Sequence, residues 1–257
     1  MNFDKEIKHH FLKGHEKYLR NISVDCVIFG FHKNELKVLL LNAIYAAGQW
    51  ALPGGFILKE EHMDAAAGRI LKERTGLDKI YMQQFYVFSA PERSTLKSNQ
   101  QFLKNVGIAV EKSWMFERFI TIGYSALVDF SKAQPQADVF SSACEWFSIH
   151  EIPELLLDHR SILDKALENL QLQLNYQPVG YSLLPEKFTM PELQKLYETI
   201  LDRKLDRRNF QRKIVATGIL NRLSETRKGV AHKAPYYYTF DIDKYQKALK
   251  GGMGFES

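Results

Sequence analysis

Between Gly55 and Leu77 the chain reads GFILKEEHMDAAAGRILKERTGL, and no other stretch constrains its fold as tightly. Apolar positions at Ala65, Ala66, Ile70 and Leu71 predict a helix from about Met63 to Arg74, and Gly76 stops it. The run Trp50-Ala51-Leu52-Pro53-Gly54 leads into this segment. Upstream, Ser23–Phe31 (SVDCVIFGF) is rich in β-branched and aromatic residues and reads as a strand. A turn at His32–Glu35 and a second strand over Leu36–Leu41 complete a hairpin. Downstream, Ile80–Ser89, Phe119–Phe130 and Ala143–Ile149 are further strands, and His159–Leu174 has helical apolar spacing at Ile162, Leu163, Ala166, Leu167 and Leu170. The polar stretch from Arg93 to Glu117 is compatible with a lid, a long hairpin or an interface element.

The helix-bearing segment resembles the Nudix box, G-x5-E-x7-R-E-U-x-E-E-x-G-U with U a bulky apolar residue. Gly55, Glu61, Arg69, Leu71, Glu73, Gly76 and Leu77 stand at its fixed positions. The resemblance implies an α/β/α sandwich around a mixed sheet, with the box as loop–helix–loop. Two departures bear on chemistry: Ile70 replaces the glutamate after the arginine, and Arg74 replaces the second of the paired glutamates. Positions four apart share a helix face, so the missing carboxylates would have stood together. In active family members that face holds Mg²⁺ or Mn²⁺, and a hard cation needs oxygen ligands that Ile70 cannot offer. The expectation is therefore no catalytic residue, no metal ligand and no cofactor, with Glu61, Arg69 and Glu73 forming a salt-bridge network. The rival is a metal-dependent hydrolase of nucleoside diphosphate derivatives, acting through Glu61 and Glu73.

A fold kept without its metal ligands suggests a reused pocket. The resemblance places a cleft over the sheet beside the box, with Tyr45, Trp50, Leu52, Phe56, Arg93 and Arg118 as its expected walls. Aromatic faces with a few convergent polar groups suit a sugar or a nucleoside, although Trp50 and Phe56 equally suit plain core filling. Many family members carry a Lys-Arg pair after the second strand; this chain has Asn42-Ala43. That tilts the expected effector toward a neutral sugar, a pentose such as arabinose, over a nucleotide derivative.

Charge is concentrated beyond the Pro- and Gly-bearing linker Asn175–Pro185. The whole chain carries +5, yet Arg203–Lys233 alone has ten cations against two anions, net +8, leaving −3 elsewhere. Such asymmetry points to a polyanion. Thr189 is a plausible N-cap with Pro191 in the first turn and Glu192 three residues on, and Leu193, Leu196, Tyr197, Ile200 and Leu201 follow helical spacing. After Arg203-Lys204-Leu205, Asp206 caps a second helix to about Thr217. Its inward residues are expected to be Phe210, Ile214 and Val215, its outward ones Arg207, Arg208, Gln211, Arg212 and Lys213. Leu220–Leu223 and Tyr236–Phe240 then flank a basic tip, the wing of a winged helix-turn-helix. Arg227, Lys228, His232 and Lys233 would meet phosphates, and the helix cations bases or backbone.

In this order, the parts resemble the Nudix-related transcriptional regulators, with likeness from about Ser23 to about Tyr245. The fold class is α+β: an effector-binding Nudix-like domain over residues 1–174, with its core from about 22, and a DNA-binding winged helix over 175–257. The resemblance implies a homodimer on a palindromic double-stranded DNA operator, responsive to a small molecule. A non-catalytic module that binds RNA or protein is the other rival. Cys26 and Cys144 are far apart and no stretch approaches a bilayer span, which fits a reducing cytoplasm and no membrane partner.

Overall fold

A computed structural model describes residues 3–44, 48–94, 109, 113–175, 177–227 and 234–251. The strands β1 (Tyr18–His32) and β2 (Glu35–Ala43) are neighbours joined at Lys33 and Asn34, both at positive φ, the backbone a tight hairpin turn demands. The strands β3 (Trp50–Ala51) and β4 (Gly54–Leu58) precede helix α2 (Met63–Thr75), and β5 (Met82–Phe88), β6 (Ile120–Val128) and β7 (Ser141–Ser148) follow it. They build a seven-stranded mixed sheet in the order β3-β2-β1-β6-β5, with β4 on β1 and β7 on β2.

Alternation along β1 sends Val24, Cys26 and Ile28 into the core beneath α2, where they meet Ala66, Ala67, Ile70 and Leu71 with Ile122, Tyr124 and Ala126 of β6. Ala65, expected on that face, is exposed, and Ala67 takes its place. Gly76, left-handed at φ 70°, ends α2 by donating its N–H to the Lys72 carbonyl at 2.8 Å. Helix α3 (His159–Gln173) buries Ile162, Leu163 and Ala166 as the spacing required.

An N-terminal helix, α1 (Phe3–Lys13), lies ahead of β1 and was not legible. Its composition is mostly polar, and tertiary contacts hold it. Trp114 Nε1 donates to the His10 carbonyl at 2.9 Å and Ser113 Oγ to that of Phe11 at 3.1 Å, with Phe11 buried. Trp114 belongs to the 93–117 stretch, most of which lies outside the described residues.

The chain divides into two compact units, Met1–Phe29 with Lys37–Ala166, and Gly30–Leu36 with Leu167–Ser257. The second contains β8 (Phe188–Thr189), α4 (Met190–Leu201), α5 (Arg207–Ala216), β9 (Leu220–Thr226), β10 (Tyr236–Phe240) and α6 (Ile242–Gly251), the strands forming a sheet in the order β8-β10-β9. Thr189 and Glu192 make a reciprocal capping box at the start of α4. Phe188, Leu193, Leu196 and Ile200 are fully buried and form the core with Tyr197, Phe210 and Ile214. Asp206 caps α5 by accepting the Asn209 N–H at 2.8 Å. Val215 departs from expectation: it is 50% exposed. Five residues beyond Phe210 it is rotated well off the buried stripe, which Phe210 and Ile214 complete at a spacing of four.

Candidate effector cleft and DNA-reading surface

The box helix turns its charges on one another. Arg69 donates from Nε and Nη2 to the two carboxylate oxygens of Glu61, each at 2.9 Å, and from Nη2 to the Phe56 carbonyl at 2.9 Å. Its Nη1 lies 3.5 Å from Glu73 Oε1. Glu61 also accepts the Leu58 N–H, and the Arg69 hydrogen bonds hold its carboxyl below the ordinary glutamate range. Ile70 is buried in the core, and Arg74, nearly buried too, pairs with Asp138 at 2.5 Å. The divalent ion that the Nudix fold implies is a poor match for these side chains. One carboxylate is gripped by a guanidinium, one ligand position is aliphatic and another is cationic. Among the described residues no group of three or more His, Cys, Asp or Glu side chains is arranged to hold a metal.

Beside the box opens a cleft of about 790 Å³, walled by α1, β1, β4, α2 and the start of α3. Leu52, Phe56 and Arg93 line it as expected. Of the other expected wall residues, two described ones do not line it. Trp50 packs its ring on Phe147, centroids 4.6 Å apart, because its strand turns it toward β7. Arg118 is exposed just ahead of β6 and donates to the Ser89 carbonyl at 2.7 Å. Tyr45 lies outside the described residues.

Residues not anticipated make up much of the cleft. His10 sits among rings, 4.6 Å from Phe140 and 5.8 Å from both Phe56 and Tyr18. Burial, reinforced by Lys17, pushes its imidazole down to about 4. Lys13, Lys17, Arg69 and Arg74 bring positive charge to the walls. At the floor, Arg93 donates from Nε and Nη2 to both oxygens of Asp158, at 2.8 and 3.0 Å. Asp25 and His159 lie beside this pair, and burial pushes the Asp25 carboxyl up. Asp25 had a signal in the sequence: it is the one charge inside SVDCVIFGF. His10 had none, since the helix that carries it was not anticipated.

In the second unit, Arg207, Arg208, Gln211, Arg212 and Lys213 are all exposed on α5, as expected. Arg208, Gln211 and Arg212 border a shallow depression with Val215 and Ala216. On the hairpin, Arg227 is exposed but tied to Glu192 Oε1 at 2.9 Å. Arg222, not singled out beforehand, lays its guanidinium 3.7 Å over the Tyr236 ring. Lys228, His232 and Lys233 lie outside the described residues.

Residues 19–170 match the NUDIX domain family, and residues 180–240 match the NrtR DNA-binding winged helix domain. The ADPR responsive transcriptional repressor NtrR of Acinetobacter baylyi is 29% identical over 231 residues, 87% of this chain and 83% of that protein. The crystal structure of Shewanella oneidensis NrtR superposes with a TM-score of 0.68 at 26% identity, covering 88% of this chain and 96% of that one. The same Shewanella protein complexed with a 27mer DNA gives a TM-score of 0.68 with the same coverage, at 24% identity, and so bears on fold alone. A NUDIX match over more than half of the chain, followed by the NrtR-type winged helix, leads to one assignment: the chain belongs to the NUDIX family and, within it, to the Nudix-related transcriptional regulators.

Proposed function

We propose that this DNA-binding regulator acts as a homodimer on a palindromic operator, and that its Nudix domain binds ADP-ribose without hydrolysing it. The observation that carries the DNA-reading part is the outward face of α5, where four cations and Gln211 are all exposed above a capped, buried inner stripe. This is the surface a recognition helix presents to the major groove. The cleft volume lies within the usual range for small-molecule sites. Its rings suit a nucleobase, and Lys17 on its wall suits a diphosphate, with Lys13 and Arg69 beside it in pairs with Glu16 and Glu61. A free pentose would leave both of those features unused, so the sugar expected from Asn42-Ala43 gives way to a nucleotide sugar. The name of the Acinetobacter relative, an ADPR responsive repressor, supports the same choice.

For the effector to act it must prefer one arrangement of the dimer, and a coupling of about 1–3 kcal/mol is typical. No described helix is long and apolar enough to cross a membrane, and both cysteines are free thiols, so we place the regulator in the cytoplasm. The test is fluorescence anisotropy on the DNA upstream of its own gene at near-physiological salt, with a panel of ADP-ribose, other nucleotides and pentoses. Selective binding altered by ADP-ribose alone supports the proposal. Metal-dependent cleavage of ADP-ribose in the same panel would return the protein to the hydrolases. Steeply salt-dependent binding without sequence preference would favour a general nucleic-acid module.

A further inference from the structure

Asp25 breaks the pattern of its strand. The side chains of β1 that face away from the α2 core are Ser23, Asp25, Val27 and Phe29, and the last two are completely buried. The polar pair lies where this face reaches the cleft. Ser23 hydrogen-bonds Thr121 of β6, and Thr121 hydrogen-bonds Asp25, so two hydroxyls and a carboxylate lie side by side on the floor. The backbone runs hard against this carboxylate: a Cβ added at Gly54 would fall 2.2 Å from Asp25 Oδ1.

Burying a carboxylate is costly unless its oxygens are used. The arginine and the histidine within reach of Asp25 stop short of hydrogen bonds. Arg93 Nη2 is 3.8 Å from Oδ2, its best donors already given to Asp158. His159 Nε2 is 3.9 Å from Oδ1. His159 Nδ1 accepts the Leu52 N–H at 2.9 Å, so the ring proton of the neutral tautomer sits on Nε2, facing Asp25. The floor thus offers an acceptor and a donor next to each other, only 7% and 5% exposed, with acceptor capacity left over.

A group that both donates and accepts completes such a pair. A hydroxyl does so: its hydrogen goes to Asp25 and its lone pair takes the His159 Nε2–H. An ionised diphosphate bridge has no proton to give and meets two carboxylates, Asp25 and Asp158; an ammonium has no lone pair. We infer that Asp25 and His159 form a hydroxyl-binding subsite, and that it receives the terminal ribose of ADP-ribose. This rests on the effector reading above. The end assignment follows from the division of the cleft, with rings on the α1 side for the base and polar groups at the floor for the end richest in free hydroxyls.

Isothermal titration of the full chain with ADP-ribose and with ADP, which lacks the terminal ribose, tests the inference. Asp25→Asn and His159→Asn should each weaken ADP-ribose binding about tenfold or more, since each removes one half of a charge-assisted pair. ADP should bind all three proteins within about twofold. Ligand-free operator binding checks the fold of each variant. If Asp25→Asn does not fold, His159→Asn carries the test, because its amide oxygen can still accept the Leu52 N–H. ADP-ribose affinity retained in the folded variants, or ADP losing as much as ADP-ribose, overturns the subsite. If the wild-type protein binds neither nucleotide, the effector reading fails first and takes the subsite with it.

Discussion

The guanidinium of Arg69 holds both carboxylate oxygens of Glu61 at 2.9 Å, so the first glutamate of the box is spent on the protein itself. Glu61 is largely buried in this grip, its side chain 12% exposed. Replacing Arg69 with Ala leaves that carboxylate with only the Leu58 N–H, at an expected cost of about 1–3 kcal/mol by urea unfolding at pH 7. The sign with pH follows from linkage. The folded-state carboxyl lies below its ordinary 4.5, so the stabilisation is complete above that value and is lost as pH falls through the folded-state value. The gap between wild type and Arg69→Ala should therefore close on acidification. A gap independent of pH would point to packing by the Arg69 stem instead.

Restoring the box by sequence alone should fail. Arg74 is buried against Asp138 at 2.5 Å, and Arg74→Glu sets two carboxylates against each other there. Breaking a buried pair costs about 3–5 kcal/mol, and the added repulsion acts in the same direction. The combined Ile70→Glu, Arg74→Glu variant also drives a carboxylate into the core occupied by Ala66, Ala67 and Leu71. Expected outcomes are a markedly lower unfolding midpoint and no Mg²⁺-dependent release of AMP from ADP-ribose. A folded double variant that hydrolyses ADP-ribose would show that those two positions alone had silenced the site.

Much of this organisation was legible in the sequence, and the exceptions have physical causes. Fixed-spacing signals carried furthest: the box glycines, the Thr189–Glu192 cap and the Phe210–Ile214 stripe are local, and each reappears at its expected place. Val215 reads as inward because it is apolar, but Phe210 and Ile214 already complete that face and it stands 50% exposed. The cleft was half legible. Leu52, Phe56 and Arg93 line it, while Trp50 and Arg118, which the resemblance also places there, pack on Phe147 and bond Ser89 instead. His10 enters because α1 packs against Trp114, a contact 104 residues apart that no periodicity announces.

His10 offers a test of that long-range contact. Burial lowers its imidazole from 6.5 to about 4, so between those values the unfolded chain takes up a proton that the folded protein refuses. Stability must then fall as pH drops from about 6.5 toward 4. His10→Phe keeps a ring among Phe56, Phe140 and Tyr18 but removes the titration. Thermal unfolding across this range should show a shallower pH dependence for His10→Phe than for wild type. Parallel curves would mean that the ring is open to water and that α1 does not seal the cleft.

The DNA-reading surface separates into groups of unequal expected weight. Arg208 and Arg212 are exposed on α5 and border the same depression, four residues apart on one face. Each replaced by Ala should weaken operator binding by about 1–3 kcal/mol if it reads a base edge, with selectivity relaxed at one position of each half-site. Lys213→Ala should weaken all sequences alike and flatten the salt dependence by about one counterion, as a phosphate contact does. Arg227 differs from all three, because Glu192 holds it at 2.9 Å and that same carboxylate closes the cap of α4. Meeting a phosphate would require Arg227 to leave this pair, so Arg227→Ala should cost less binding than Arg212→Ala. Anisotropy titrations at two salt concentrations, with circular dichroism to confirm unchanged folding, read all four variants. Equal losses at Arg227 and Arg212 would mean that the Glu192 pair opens on DNA and that the wing carries as much of the contact as the helix.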